Sequence, residues 1–86
     1  MSLKLRPGVL MAETEYGMAL LDDSSGDYWT LNPTAAMVLE TLLAGRSAQQ
    51  AVHALTERYD VSDGIAREDV ERVLGELRSA GLVRED

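Results

Sequence analysis

Few side chains in this 86-residue sequence are suited to acid–base or nucleophilic chemistry. His53 is the only histidine, and Glu57 is the one carboxylate a helical turn from it, whereas a metal site needs several ligands. The absence of cysteine excludes a thiol nucleophile, a cysteine-ligated zinc and a disulfide scaffold. The Gly-x-Ser-x-Gly elbow that a serine hydrolase would require is absent from the sequence, and so is a glycine-rich phosphate loop. We therefore expect no catalytic residue, no metal and no cofactor.

The side chains that remain are suited to contact another polypeptide. Tyr28–Leu31 is a run of strand formers that includes the only tryptophan of the chain. Asp69 and Glu76, seven residues apart on a predicted helix, share one flank of that helix with Val73. The other carboxylates of this helix lie among arginines, which is typical of a solvated helix face.

The first half of the chain must supply the strands that position these residues. Apolar and polar residues are mixed over Val9–Thr14, and a short apolar run follows over Met18–Leu21. Turn formers separate this run from a third strand over Asp27–Leu31. Together these segments predict a three-stranded antiparallel meander.

Three helices are predicted in the second half. Asn32 is a good N-cap with Pro33 in the first turn, and Gly45 is a natural stop. The second helix opens at Ser47 and Gln50, which have the spacing of a capping box. The third runs from about Ile65 or Ala66 to Ala80. The predicted buried stripes are Ala35, Val38, Leu39, Leu42 and Leu43, then Ala48, Ala51, Val52, Leu55 and Tyr59, then Ala66, Val70, Val73, Leu74 and Leu77.

The chain end carries a further signal. Gly81 stands where a left-handed residue ends a helix, so that Leu82 can fold back on Leu77 in a Schellman motif. The tail from Arg84 to Asp86 is expected to be frayed. Strands followed by helices predict a single α+β domain, compatible with a winged-helix-like arrangement.

Charge and length limit the functions. A net charge of −7 and a pI near 4.5 disfavour nucleic acid and anionic membranes, and would suit a partner with basic residues. No apolar run approaches the roughly 20 residues needed to cross a bilayer, and the start lacks a secretory signal. We expect a cytoplasmic protein that does not bind membranes.

Several ordered segments give the chain a family resemblance. Tyr28–Ala36, Leu42–Ser47, Ala54–Val61 and Leu74–Val83 resemble the PqqD-like family, whose members recognise ribosomally made, modified peptides. The match covers about Val9 to Val83. It implies a small winged-helix-like domain that binds and does not catalyse. A stand-alone chain of this size is similar to the elements that deliver a lasso peptide precursor to a leader peptidase and then a cyclase.

The resemblance also implies where a leader peptide would bind. The leader adds as a strand beside the third strand and packs in a groove with the third helix. Carried onto this sequence, the peptide-binding residues are Tyr28, Trp29, Thr30, Leu31, Asp69, Val73, Glu76 and Leu77. Trp29, Leu31, Val73 and Leu77 would take apolar leader side chains, whereas Asp69 and Glu76 would pair with basic ones.

Two alternatives stay open from the residues alone. A winged-helix DNA-binding regulator would use the third helix for recognition, although its arginines are outnumbered by carboxylates. A small enzyme is less favoured, because no nucleophile–base pair is evident. The oligomeric state is also open, since an unpaired edge strand can pair with a second copy.

Overall fold

The computed structural model describes residues 2–85 and has the predicted α+β architecture. Its elements, in chain order, are β1 (Leu3–Leu5), β2 (Val9–Thr14), β3 (Gly17–Asp22), β4 (Tyr28–Leu31), α1 (Pro33–Leu43), α2 (Ala48–Arg58), α3 (Asp63–Ser79) and β5 (Val83–Glu85).

The main sheet is the predicted antiparallel meander, with strand order β2-β3-β4. In its register Leu20 lies opposite Met11 and Trp29, and Met18 lies opposite Glu13 and Leu31. Met18 and Leu20 are buried on the face of β3 that the helices cover. The alternation of side chains along a strand leaves the opposite face of the sheet to solvent.

A second, two-stranded sheet joins the two ends of the chain. β1 pairs antiparallel with β5, so that Leu5 lies opposite Val83 and Lys4 opposite Arg84. The prediction of a frayed tail is therefore wrong for Arg84 and Glu85, while Asp86 lies outside the described residues. The pairing forms because Leu3 and Val83 both bury their side chains in the core.

The helix boundaries follow the predicted capping signals. Asn32 caps α1, and Ser47 and Gln50 form the predicted capping box of α2. α3 begins earlier than expected, because Ser62 caps it through the Ile65 amide. At its end the amide of Leu82 donates to the Leu77 carbonyl (3.1 Å) and that of Gly81 to Arg78 (3.0 Å), which is the predicted Schellman motif.

One core lies between the helices and the sheets, with α1 at its centre. α1 packs against α2, α3, β1, β3 and β4, and its Val38 and Leu39 are fully buried. The remaining buried residues are Leu3, Val9, Met18, Leu20, Ala36, Leu42, Ala51, Val52, Leu55, Ala66, Val70, Val73, Leu77, Leu82 and Val83. Because α1 contacts both β4 and α3, it fixes the position of the two elements on which a peptide groove was predicted.

Candidate functional site

β4 is an edge strand. Within the described residues it pairs with β3 on one side only, so its other edge has no strand beside it. An unpaired edge presents backbone N–H and C=O groups that can bond an added strand. The feature that the sequence predicted is thus present: a short strand with one side open.

The open edge of β4 consists of the backbone groups of Tyr28 and Thr30. The amide of Asp22 donates to the carbonyl of Asp27 at 2.9 Å, which makes these two residues a hydrogen-bonded pair of the antiparallel ladder. Hydrogen-bonded and non-bonded pairs alternate along such a ladder. Trp29 therefore bonds β3, while the N–H and C=O groups of Tyr28 and Thr30 point away from it.

Two contacts hold the end of β4 in place. The Asn32 side-chain oxygen accepts the amide of Ala35 at 2.8 Å, which ties β4 directly to the start of α1. Gly17 lies against the carbonyl of Leu31, and its positive φ of 148° and the lack of space for a Cβ both require glycine there. These two contacts restrict movement at this end of the strand.

The side chains of β4 alternate between the core and solvent. Trp29 and Leu31 are half-buried and pack against the core, whereas Thr30 is exposed and Tyr28 is 70% exposed. Trp29 is thus partly in the core and partly accessible, as an aromatic at the border of a binding surface would be.

The residues predicted on α3 divide into two groups. Val73 and Leu77 are each only 3% exposed, so in this structure they belong to the core and offer almost no surface to a peptide. Asp69 and Glu76 flank that buried stripe, and Glu76 is exposed. The Asp69 side chain is 28% exposed and accepts a hydrogen bond from Arg72 at 3.0 Å. Between Asp69 and Glu76 the accessible flank of α3 is therefore charged rather than apolar.

α1 supports both β4 and α3, which do not pack closely against each other. A strand added to β4 would extend the sheet at this open edge, where α1 already covers the inner face. The structure thus brings together the β4 edge, Trp29 and Leu31 at the start of α1. It does not bring Val73 and Leu77 to the surface.

Two features of the structure were not predicted from the sequence. A cleft of about 440 Å³ lies at the end of β4, lined by Thr14, Tyr16, Thr30, Leu31 and Asn32. No sequence pattern indicates it, because it depends on the register that sets the β2–β3 turn beside β4.

The second feature is Ile65, which is 53% exposed in the first turn of α3. It lies four residues before Asp69 and eleven before Glu76, which places it on their flank of the helix. Its signal in the sequence is that it is an apolar residue just outside the buried stripe.

Hydrogen bonds order the turn that leads into β4. Ser24 donates its hydroxyl to the Asp22 carboxylate at 2.7 Å and its amide at 3.0 Å. These two bonds hold the pKa of Asp22 below its ordinary value. The turn is therefore best ordered when Asp22 is ionised.

Neither a cluster of metal ligands nor a membrane-spanning helix is found among the described residues. Among residues 2–85, no three histidine, cysteine or acidic side chains are grouped so as to hold a metal ion. None of the helices in this range is both long and apolar enough to span a bilayer.

Known proteins resemble this chain in sequence and in fold. Residues 17–83 match the family described as coenzyme PQQ synthesis protein D (PqqD). A lasso peptide synthetase B1, solved in complex with the leader peptide, is 38% identical with a TM-score of 0.92, and the match covers 99% of this chain and 100% of that one. TbiB1 in complex with the TbiA(beta) leader peptide is 22% identical with a TM-score of 0.84 over 96% of each chain, which is a likeness of fold. No curated protein matches the chain significantly.

Proposed function

We propose, from the premise that this chain belongs to the PqqD family, that it binds the leader region of a ribosomally made precursor peptide and acts in lasso peptide biosynthesis. The leader adds as a strand to the open edge of β4. This is recognition by strand addition, in which backbone hydrogen bonds supply affinity and alternate side chains supply specificity.

The observation that carries the proposal is the ladder geometry of β4. Tyr28 and Thr30 each leave one N–H and one C=O without a strand partner, at a spacing that an extended peptide matches. Asn32 and Gly17 hold the strand in place before the peptide arrives. An edge that is already ordered loses little conformational freedom on binding.

Side chains around the edge would select the leader. Trp29 and Leu31 are half-buried beside the open edge and would take apolar leader residues on the inner face. On α3, Asp69 and Glu76 would pair with leader lysine or arginine, or accept leader amides. We propose that Val73 and Leu77 act indirectly, as buried core residues that support the flank of α3 on which Asp69 and Glu76 lie.

The charge on α3 favours a peptide over DNA. The three arginines of the helix, Arg67, Arg72 and Arg78, each pair with a carboxylate of the chain itself. Phosphate binding depends on free cationic groups on one face. A recognition helix whose arginines are neutralised in this way lacks the free cationic groups that bind the phosphates of DNA.

We further propose that the chain has no catalytic activity of its own. It would deliver the bound precursor to a separate leader peptidase and then to a cyclase, in the cytoplasm where the precursor is synthesised. The open edge of β4 supports this role, since strand addition needs only backbone groups, and His53 pairs with the exposed Glu57.

Amide hydrogen exchange would test the proposed edge directly. The probe is a synthetic leader of a lasso peptide precursor, added to the ¹⁵N-labelled protein. We expect the amides of Tyr28 and Thr30 to become protected on binding, because they gain partners, while Trp29 is already protected by β3. The amides of Met11 and Glu13, on the open edge of β2, are the internal control and should not change.

Two results would contradict the proposal. Saturating leader that leaves Tyr28 and Thr30 unprotected would exclude strand addition at β4, even if the peptide binds elsewhere. Equal affinity for the leader and for the excised core segment of the same precursor would exclude leader recognition.

A further inference from the structure

A second pocket lies at the other end of α1 from β4. It has a volume of about 260 Å³ and is lined by Leu3, Leu42, Arg46, Ser47, Ala48, Leu74, Arg78 and Glu85. These residues come from β1, α1, the α1–α2 connection, α2, α3 and β5. Six separate parts of the chain therefore converge on it.

The floor of this pocket is apolar. Leu3 and Leu42 are 7% and 6% exposed and belong to the core, and Leu74 packs partly against them. Ala48, which the sequence pattern assigned to the buried stripe of α2, is instead exposed at the rim. A leucine-sized side chain placed here would cover apolar surface that the chain itself leaves open to water.

The rim carries positive charge that is only partly neutralised. Arg78 pairs with Glu85, whose side chain is 29% exposed. The guanidinium of Arg46 has no hydrogen bond or ion pair within residues 2–85. In a chain of net charge −7, an unpaired arginine beside an apolar pocket is a local site for a carboxylate.

We infer that this pocket docks a protein partner through a leucine-sized apolar side chain that stands next to a carboxylate. The volume is below the roughly 300–1,000 Å³ of small-molecule sites and fits a single anchoring side chain of an interface. The carboxylate pairs with Arg46, while the apolar group rests on Leu42 and Leu74.

This docking site is separate from the proposed leader edge. Leu74 and Arg78 lie on one flank of the buried stripe of α3, and Asp69 and Glu76 lie on the other flank. β4 leads into the start of α1, whereas the pocket lies at its end. A leader and a protein partner can thus occupy the chain at the same time.

N-acetyl-L-leucine is a minimal probe of this chemistry, and N-acetyl-L-leucinamide is its uncharged match. In an NMR titration of the ¹⁵N-labelled full chain, we expect the acid to shift the amides of Arg46, Ala48 and Leu74. We expect the amide compound to bind about three- to fivefold more weakly, as is usual when one exposed ion pair is lost.

Two exposed arginines provide matched variants. Arg46→Gln should reduce the affinity of the acid to that of the amide compound, because the only change is the unpaired guanidinium. Arg58→Gln, at the far end of α2, removes the same charge from the chain and should leave the acid affinity unchanged. Within residues 2–85 neither arginine side chain has a hydrogen-bond or ion-pair partner, so neither substitution should unfold the protein.

Three outcomes would overturn the inference. Equal affinities for acid and amide would show that no carboxylate is recognised, and an unchanged Arg46→Gln variant would exclude Arg46. Displacement of the acid by saturating leader would show that the pocket is part of the leader site. Failure of the leader to bind at all would contradict the proposed function but would not contradict the docking site.

Discussion

Replacement of Thr30 by proline removes a single hydrogen-bond donor from the open edge of β4. In the β3–β4 ladder the Thr30 amide points away from β3, so it makes no hydrogen bond within the sheet. Proline is tolerated in an edge strand when its missing N–H faces solvent. The variant should therefore fold with the wild-type structure and lose one bond to the leader.

The size of the effect follows from that one bond. A typical hydrogen bond contributes a net 0.5–1.5 kcal/mol, so the leader should bind about 2- to 13-fold more weakly. The Thr30 side chain is exposed and lines the cleft at the end of β4. Thr30→Ala, which keeps the N–H, should stay within about twofold of wild type, because exposed substitutions of this kind usually change free energies by less than 0.5 kcal/mol.

Glu13→Pro is the matched control for proline itself. Glu13 is exposed, and the register places its N–H on the open edge of β2, across the sheet from β4. Fluorescence polarisation with a labelled leader gives the three affinities, and circular dichroism confirms that each variant is folded. If Thr30→Pro binds as tightly as Thr30→Ala and Glu13→Pro, no leader bond is made at Thr30 and strand addition to β4 is refuted.

Three further predictions concern the supporting residues. Leu77→Ala should lower the free energy of unfolding in urea by about 2–5 kcal/mol, since the side chain is buried; a change below 1 kcal/mol would contradict its place in the core. Glu76→Gln should weaken leader binding by up to about fivefold at low salt, whereas Glu71→Gln on the opposite side of α3 should not; equal effects would remove Glu76 from the site. Ser24→Ala should raise the pKa of Asp22 toward its ordinary value of about 3.9, as followed by NMR of the carboxyl carbon. A folded-state pKa below the unfolded value stabilises the fold above the unfolded pKa, and this stabilisation is lost as the pH falls through the folded value. The wild-type protein should therefore keep this turn ordered to lower pH than the variant. Identical titrations of Asp22 in the two proteins would refute the role of Ser24.

Local signals in the sequence were sufficient for most of the fold. The caps at Asn32 and Ser47 and the Schellman ending at Gly81 depend on residues a few positions apart, and each formed as predicted. The alternation and turn formers of the first half likewise defined the meander. Such features can be read from one sequence because the interacting groups are neighbours in the chain.

Non-local contacts were the part that the sequence did not reveal. β1 and β5 are three residues each and lie at opposite ends of the chain, so no periodicity distinguishes them from frayed termini. Val73 was predicted in the buried stripe, but the exposure of Ala48 and the small surface that Val73 leaves accessible depend on how α2 and α3 pack around α1. The pattern predicted most of each apolar stripe but did not show how far neighbouring helices would cover its margins.

The same geometry that leaves β4 open also limits its pairing with a second copy. The open edge is only four residues long, and just Tyr28 and Thr30 present free backbone groups, so a self-paired dimer would gain few bonds. Two copies would each bring a net charge of −7 to the interface, whereas a leader with basic residues would be attracted. Because a leader strand would gain the same few backbone bonds, the acidic charge of the chain is what favours a basic leader over a second copy before any side-chain pocket contributes.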